Sequence, residues 1–410
     1  YWQAVLQDPD EVLPLFEQTL LAGKTLEGHS AGASEKKLSA YIASGITSCH
    51  EPINADQVLE RLRLGLHIMA REGAVRKDLD EIAKITKQGI DLRRLILVSD
   101  SISPQDLMEN GYMESIVQKA IDCGFEPITA IQMTTLNVAE HFSIDDFIGG
   151  IAPGRYADLV IIPDIGTIDA EAVISNGRII VQNGNILIPP RKHLFSKESL
   201  NTIKLPRDLA PSDFIIRAPA NTENVQIRVI SMITDLVTSE EEMNWPVANG
   251  RLSVDLAKDI VKIAAIDRTH NPGKLFVGLI QGFGLQSGAI ACSAAWDTSD
   301  IVVVGADDAD MAFAVNRIRK LQGGTVACEN EKILSELPLP IFGIVSDLPL
   351  ETIDRQFKDV AKAAKGLGVP FPEPMLSLIT LTGSAIPYLR ICEEGLVNLK
   401  NGTTLPLFIG

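Results

Sequence analysis

The 410-residue chain contains no C-x-x-C pair: its five cysteines, Cys49, Cys123, Cys292, Cys328 and Cys392, are scattered and odd in number. That argues against a disulfide framework and for a reduced, cytoplasmic compartment. Positive charge is in deficit as well. Lys and Arg total 37 against 53 Asp and Glu, a formal net charge of −16. Such a balance excludes non-specific binding to nucleic acid or to an anionic membrane surface, and leaves a small neutral substrate open. No apolar run is long enough to span a bilayer. The opening stretch YWQAVLQDPDEVLPLF mixes acidic and apolar residues and does not read as a secretory leader. Because it opens on Tyr1 rather than Met, the chain reads as a fragment or a processed product. There is no internal repeat and no low-complexity tract. Histidine is scarce, with six in the whole chain, and no His-x-His pair occurs.

What is present suits a soluble globular protein. The apolar fraction is 46% and the charged fraction 22%. The length predicts two or three domains. Along the first third, helical periodicity alternates with short apolar runs. DPDEVLPLFEQTLLAG reads as a helix and KTLEGHSAG as a short strand running into a turn. SEKKLSAYIASG reads as a helix capped by Ser34, and ITSCHE as a strand. NADQVLERLRLGLHIMAREG reads as one long amphipathic helix, followed by a helix in DLDEIAKITKQGI, a buried strand in RRLILVSDS and two more helices. Alternation of this kind predicts an α/β fold with parallel strands and crossover helices. His29, His50 and Asp100 then fall at the C-terminal ends of strands, the face where parallel barrels carry their active sites.

After IAPGRY the pattern becomes β-rich, with Asn-Gly turns at 176–177 and 183–184 that favour hairpins. Residues 196–212 read as a Pro- and Ser-containing linker, and a second large mixed domain follows from about residue 213. GFGLQSG, 282–288, matches no phosphate-loop fingerprint and reads as a tight hairpin. Trp296 and Asp297 read either as a packed aromatic beside a turn or as a pocket feature.

Two imidazoles and a carboxylate suit zinc, iron or manganese, and such a carboxylate can also move a proton. On residue types alone His29, His50 and Asp100 read equally as ligands or as loop residues. His67, His141 and His193 read as ordinary helix or loop residues.

The segments EGHSAG, AYIASGITSCHE, RLRLGLHIMAREGA, LILVSDS and IAPGRYADLVII occur in an order and spacing that resemble the adenine deaminases of the amidohydrolase superfamily. VGLIQGFGLQSGAIA, DIVVVGADDADMAFAVNRI and LPLPIFGIVSD resemble that family's extra C-terminal domain. The resemblance implies an α/β fold: the C-terminal half of a metal-dependent hydrolase TIM-type (β/α)8 barrel over residues 1–153, a small β domain over 154–195, the linker 196–212, and an α+β domain over 213–410. It implies deamination of adenine to hypoxanthine and ammonia in purine salvage. It implies a divalent metal, manganese or iron with zinc as an alternative, binuclear in the complete site, and a homo-oligomer. Carried over by position, His29, His50 and Asp100 are metal ligands. Asp100 is also the proton shuttle, and Glu51 hydrogen-bonds the ring or the substrate, or else is a solvated helix-start residue. Arg71, Glu72 and Ser101 are substrate contacts, with a structural ion pair the alternative for the first two.

The sequence departs from the family in places. The His-x-His pair and the bridging acid of the first barrel half are not in the chain, so a preceding segment or a separate chain is expected to supply them. Ser101 stands where the family carries a second aspartate, Gly111-Tyr112 where it carries Gly-His, and AWDTSD where it carries AHDSHN. Two rival functions therefore stay open: an amidohydrolase acting on another N-heterocycle or cyclic amide, and a catalytically silent purine-binding relative.

Overall fold

The computed structural model describes residues 2–410. The chain divides into two compact units, one ending at Lys192 and the other running His193–Gly410.

The first unit opens with α1 (Trp2–Gln7), α2 (Pro9–Leu21) and α3 (Glu35–Ala43). Next come β1 (Ser48–Cys49), α4 (Ala55–Arg63), β2 (His67–Arg71), α5 (Leu79–Ile82), β3 (Leu95–Val98), α6 (Pro104–Asn110), α7 (Met113–Asp122), α8 (Pro127–Gln132) and α9 (Leu136–His141). Strands β1, β2 and β3 pair in that order, all parallel. Their shared core joins Ile68 and Ala70 of β2 with Leu95 and Leu97 of β3, and Val58 of α4 with Ile116 and Ala120 of α7. Each large aliphatic buried there stabilises the fold by about 1.5–3 kcal/mol.

One expected helix is in fact a helix and a strand. The pattern of residues 54–73 runs on without a polar break, but α4 stops at Arg63. Gly65 takes φ 88°. The Leu66 amide donates to the Arg61 carbonyl and the Gly65 amide to that of Leu62. This is a Schellman closure, which needs the left-handed conformation glycine supplies. HIMAR then becomes the middle strand β2, which puts Arg71 at a strand end. KTLEGHSAG, by contrast, forms no strand. It runs beside β1 through a single backbone bond, from the Thr47 amide to the Leu26 carbonyl, joined by side-chain bonds from Thr47 and Ser48.

Strands β4 (Leu159–Ile161), β5 (Ala172–Ser175), β6 (Arg178–Gln182) and β7 (Asn185–Ile186) form an antiparallel meander. Both Asn-Gly turns have positive φ at both residues, 47° and 74° at Asn176-Gly177 and 49° and 73° at Asn183-Gly184, the geometry that closes two-residue hairpins.

The second unit has β8 (Ile216–Arg217) paired with β11 (Arg251–Leu252), and an eight-stranded sheet. The sheet contains β9 (Asn224–Met232), β10 (Thr238–Pro246), β12 (Ile260–Asp267), β13 (Leu275–Gln281), β14 (Ala289–Cys292), β15 (Asp300–Gly305), β16 (Gly324–Glu329) and β17 (Lys332–Pro338), in the order β10-β9-β13-β12-β15-β14-β16-β17. Every residue of β12 and β15 is buried. Alternate residues serve opposite faces. Ile263, Ala265, Val302 and Val304 face α11 (Leu350–Gly366) and α12 (Pro374–Ile379), whereas Ala264, Ile266, Ile301 and Val303 face α10 (Asp308–Leu321). A three-stranded antiparallel sheet, β18 (Leu389–Cys392), β19 (Gly395–Asn398) and β20 (Thr403–Leu405), completes the unit.

Two local expectations are corrected here. GFGLQSG is not a hairpin: β13 and β14 are separated in the sheet by β12 and β15. The loop is a crossover, tied by the Asp259 carboxylate to the Gly284 amide. Within the stretch read as a linker, Ile203, Leu205 and Leu209 are buried in the core beneath α10, so apolar burial outweighs the proline and serine around them.

Asp300, at the start of β15, is 1% exposed, and its Oδ2 has no hydrogen-bond partner. Burial, followed by the neighbouring Glu393 carboxylate, pushes its carboxyl up to about 6. Between its unfolded value and about pH 6 the folded state holds the extra proton. Stability is therefore greatest below the unfolded value and falls as pH rises through 6. The loss amounts to at most about 3 kcal/mol at about 1.4 kcal/mol per pH unit. In calorimetry, Asp300→Asn should flatten this fall for the second unit, so that the variant gains on the parent at pH 7.5 relative to pH 4.5. A parallel pH dependence in both proteins would contradict this.

Candidate active site

Because β1, β2 and β3 are parallel, His50, Arg71, Glu72 and Asp100 fall at the same, C-terminal ends of the strands. His29 arrives there from a turn. Glycine is required just before it, because a Cβ on Gly28 would overlap Ile46 and lie 2.9 Å from the Ser48 carbonyl oxygen. The close approach brings the turn against β1. The His29 amide donates to the buried Tyr41 hydroxyl at 3.2 Å.

His29, His50 and Glu51 form one group whose candidate ligand atoms all lie within 4.8 Å of one another. The two imidazoles meet edge to face with centroids 4.5 Å apart. Glu51 Oε1 is 3.1 Å from His29 Nδ1, and its Oε2 accepts the Ala31 amide at 2.5 Å. The hydrogen bond to Glu51 raises the His29 pKa. Burial, and then the nearby His29, lower that of His50 and favour its neutral, ligating form. Burial pushes the Glu51 carboxyl up, but the bonds from His29 and Ala31 outweigh it and the net shift is downward. With Nδ1 held by a carboxylate, His29 presents Nε2 outward, as metal-binding histidines commonly do.

Asp100 stands outside this group of three. Its carboxylate, 42% exposed, lies 3.1 Å from Arg71 Nη1, and Arg71 Nη2 reaches Asp78 at 3.3 Å. Asp100 and Ser101 have φ of 47° and 90°, a left-handed turn that costs non-glycine residues energy and is held by its surroundings. The holder is Gly73. The Ala74 amide donates to the Ser101 carbonyl at 3.1 Å, and a Cβ on Gly73 would overlap the carbonyl oxygens of Ser99 and Ser101. Glu72 turns elsewhere: Oε1 accepts from Lys119 Nζ at 2.9 Å, and Lys119 also reaches Asp80 at 2.8 Å. Glu72 Oε2 is buried without a partner, beside a cleft lined by Lys77, Asp106, Asn110 and Ser115. Ser101 is exposed. At the opposite edge of the sheet His141 Nε2 lies 2.8 Å from Glu27, with the His67 ring 4.4 Å from its own. Burial and His141 push His67 down to about 4.

The sequence reading missed the residues that hold this arrangement: Ser30, Tyr41, Cys49, Arg61 and Gly73. Arg61 did leave a signal. It falls on the buried stripe of α4 with Ala55 and Val58, where a charged residue is out of place.

A family model described as "Amidohydrolase family" matches residues 17–186, and one described as "Adenine deaminase C-terminal domain" matches 235–403. The curated adenine deaminase of Clostridium botulinum (strain Langeland) is 35% identical over 408 residues, covering 99% of this chain and 68% of that protein. The chain belongs to the adenine deaminase family. Two further relatives of the same name are similar. That of Moorella thermoacetica is 35% identical over 96% of this chain and 66% of its own length. That of Desulfatibacillum aliphaticivorans is 37% identical over 98% and 69%. The chain thus spans about two thirds of the length of these family members. The amidohydrolase match contains every strand-end residue described above, and the deaminase C-terminal match falls within the second unit. In that unit the Asp297 carboxylate accepts the Ser384 amide and hydroxyl at 2.7 and 2.8 Å, and Trp296 packs on Gly383.

Gly73→Ala should push the 99–101 turn off its seat. We expect a stability loss of about 1–3 kcal/mol, typical of overpacking, together with loss of whatever activity depends on Asp100. A variant with unchanged melting temperature and rate would contradict the seat.

Proposed function

We propose that the chain catalyses hydrolytic deamination of adenine to hypoxanthine and ammonia, a purine salvage reaction. The observation that carries the reading is the grouping of His29, His50 and Glu51 beside Asp100 on one strand edge, in a chain of the adenine deaminase family. No helix among the described residues is long and apolar enough to cross a membrane, and the net charge of −16 suits a small neutral substrate better than a polyanion.

The donor set suits a divalent metal. Two imidazoles are close enough to share one ion, His50 is biased to its neutral form, and His29 is oriented by Glu51. His29 and His50 would hold the metal, with Asp100 completing the set. Manganese or iron is the preferred identity and zinc the alternative, and the complete site would hold two ions. When bound, such a metal lowers the pKa of a water toward neutrality.

The chain's own residues then supply the rest. Glu51 keeps the His29 ring in one tautomer and orientation. Asp100, exposed and steered by Arg71, takes a proton from the water that attacks C6 and returns it to the departing amine. The C6–N bond breaks, ammonia leaves and hypoxanthine remains. Ser101, exposed beside Asp100, would touch the ring. Arg71 acts on the substrate through Asp100, whereas Glu72, paired with Lys119 at 2.9 Å, takes the structural ion-pair role instead.

Ammonia release from adenine in the presence of added manganese tests the reading. Asp100→Asn should lower kcat by a factor on the order of 10²–10⁴, as removal of a proton-transfer group does, with a far smaller change in KM. Retained kcat in Asp100→Asn would remove Asp100 from proton transfer. No ammonia from adenine, but release from another heterocycle, would move the reaction to a different substrate.

A further inference from the structure

Arg61 is 2% exposed, although burying a guanidinium is costly unless its donors are satisfied. Its bonds show what offsets the cost. Nε donates to the Ser30 hydroxyl at 2.9 Å. Nη2 donates to the Ser30 carbonyl at 2.9 Å and to the Ala33 carbonyl at 3.1 Å. Nη1 donates to the Gln57 carbonyl at 3.2 Å and lies 3.5 Å from Glu60. Three of these contacts grip the turn that begins at His29, and only the planar fork of arginine can make them together.

The grip extends further. Ser30 is fully buried, and its hydroxyl, accepting from Arg61, has its own hydrogen free for Cys49 Sγ at 2.8 Å. Cys49 Sγ lies 3.4 Å from the Glu51 amide, which donates to it. Ser30 is the neighbour of His29, and Cys49 the neighbour of His50. One chain of contacts, Arg61 to Ser30 to Cys49 to the Glu51 backbone, therefore links the two histidine-bearing segments from behind.

We propose that Arg61 is a positioning residue that, through Ser30 and Cys49, sets the spacing of His29 and His50 for metal binding. This rests on the metal-site reading above. A helix anchor alone would need only the contacts to Gln57 and Glu60. The contacts to Ser30 and Ala33 are those that reach the site.

The test uses the whole chain, stripped of metal with a chelator, with manganese alone as the probe. Arg61→Ala should weaken manganese binding by roughly 10- to 100-fold, the usual consequence of removing an outer partner of a metal ligand. Arg61→Lys, which keeps the charge but not the fork, should fall between. Arg63→Ala, an exposed arginine on the same helix, should bind as the parent does. In parallel, the ring signals of histidine-labelled, metal-free protein should move for His29 and stay in place for His67 and His141. If Arg61→Ala does not fold, Ser30→Ala removes the central contact and should weaken binding in the same direction. A folded Arg61→Ala with parental manganese affinity and an unmoved His29 signal would overturn the proposal. A parent that binds no manganese, while His29 still moves in Arg61→Ala, would sink the metal reading and leave the clamp standing.

Discussion

The site depends on the placement of one carboxylate. Glu51 leaves β1 directly behind His50 and spends both oxygens on the facing turn, one on His29 Nδ1 and one on the Ala31 amide. Hydrogen bonds to a charged group contribute about 1.5–3 kcal/mol each, enough to hold a turn that has no strand ladder of its own. The His29 turn and the end of β1 are thereby tied together, and the imidazoles meet with centroids 4.5 Å apart. A parallel sheet supplies the common edge, the glycine at 28 supplies the close approach, and the carboxylate fixes the ring. Asp100 is organised by a separate device, Arg71 below and Gly73 beside it. The site thus has two independently held halves.

Much of this was legible in the residues. Alternating helical and apolar runs gave the α/β character. The Asn-Gly pairs gave the hairpins of the meander, since few other dipeptides accept two positive φ angles in succession. His50 and Asp100 stood out because each closes an apolar run that is a strand; His29 was read the same way but closes a turn. Other features were hidden for physical reasons. In residues 54–73 the apolar spacing suits a helix and a strand equally, and the boundary is decided by the backbone conformation of Gly65. The 282–288 loop looked like a hairpin because local glycines do not reveal which strands lie between two others. The buried role of Arg61 depends on partners thirty residues away in the chain.

The second unit follows a different rule. Its central strands are buried on both faces, so their sequence is nearly continuous in apolar residues and carries no alternation by which to orient them. Their two faces are covered by helices on either side. Polar residues there are few: inside β12 Lys262 pairs with Asp308, and at the strand ends Asp267 collects the amides of Thr269, His270 and Asn271 while Asp300 is left with an unpaired oxygen.

The central claim is that His29 and His50 together bind a divalent metal. Elemental analysis of the chain after incubation with manganese and removal of free ion tests it most directly, with the His29→Ala/His50→Ala double variant alongside. The account predicts at least one tightly held ion per parent chain, lost in a double variant that keeps its fold. Equal metal content in the two proteins, or none in the parent, would contradict it.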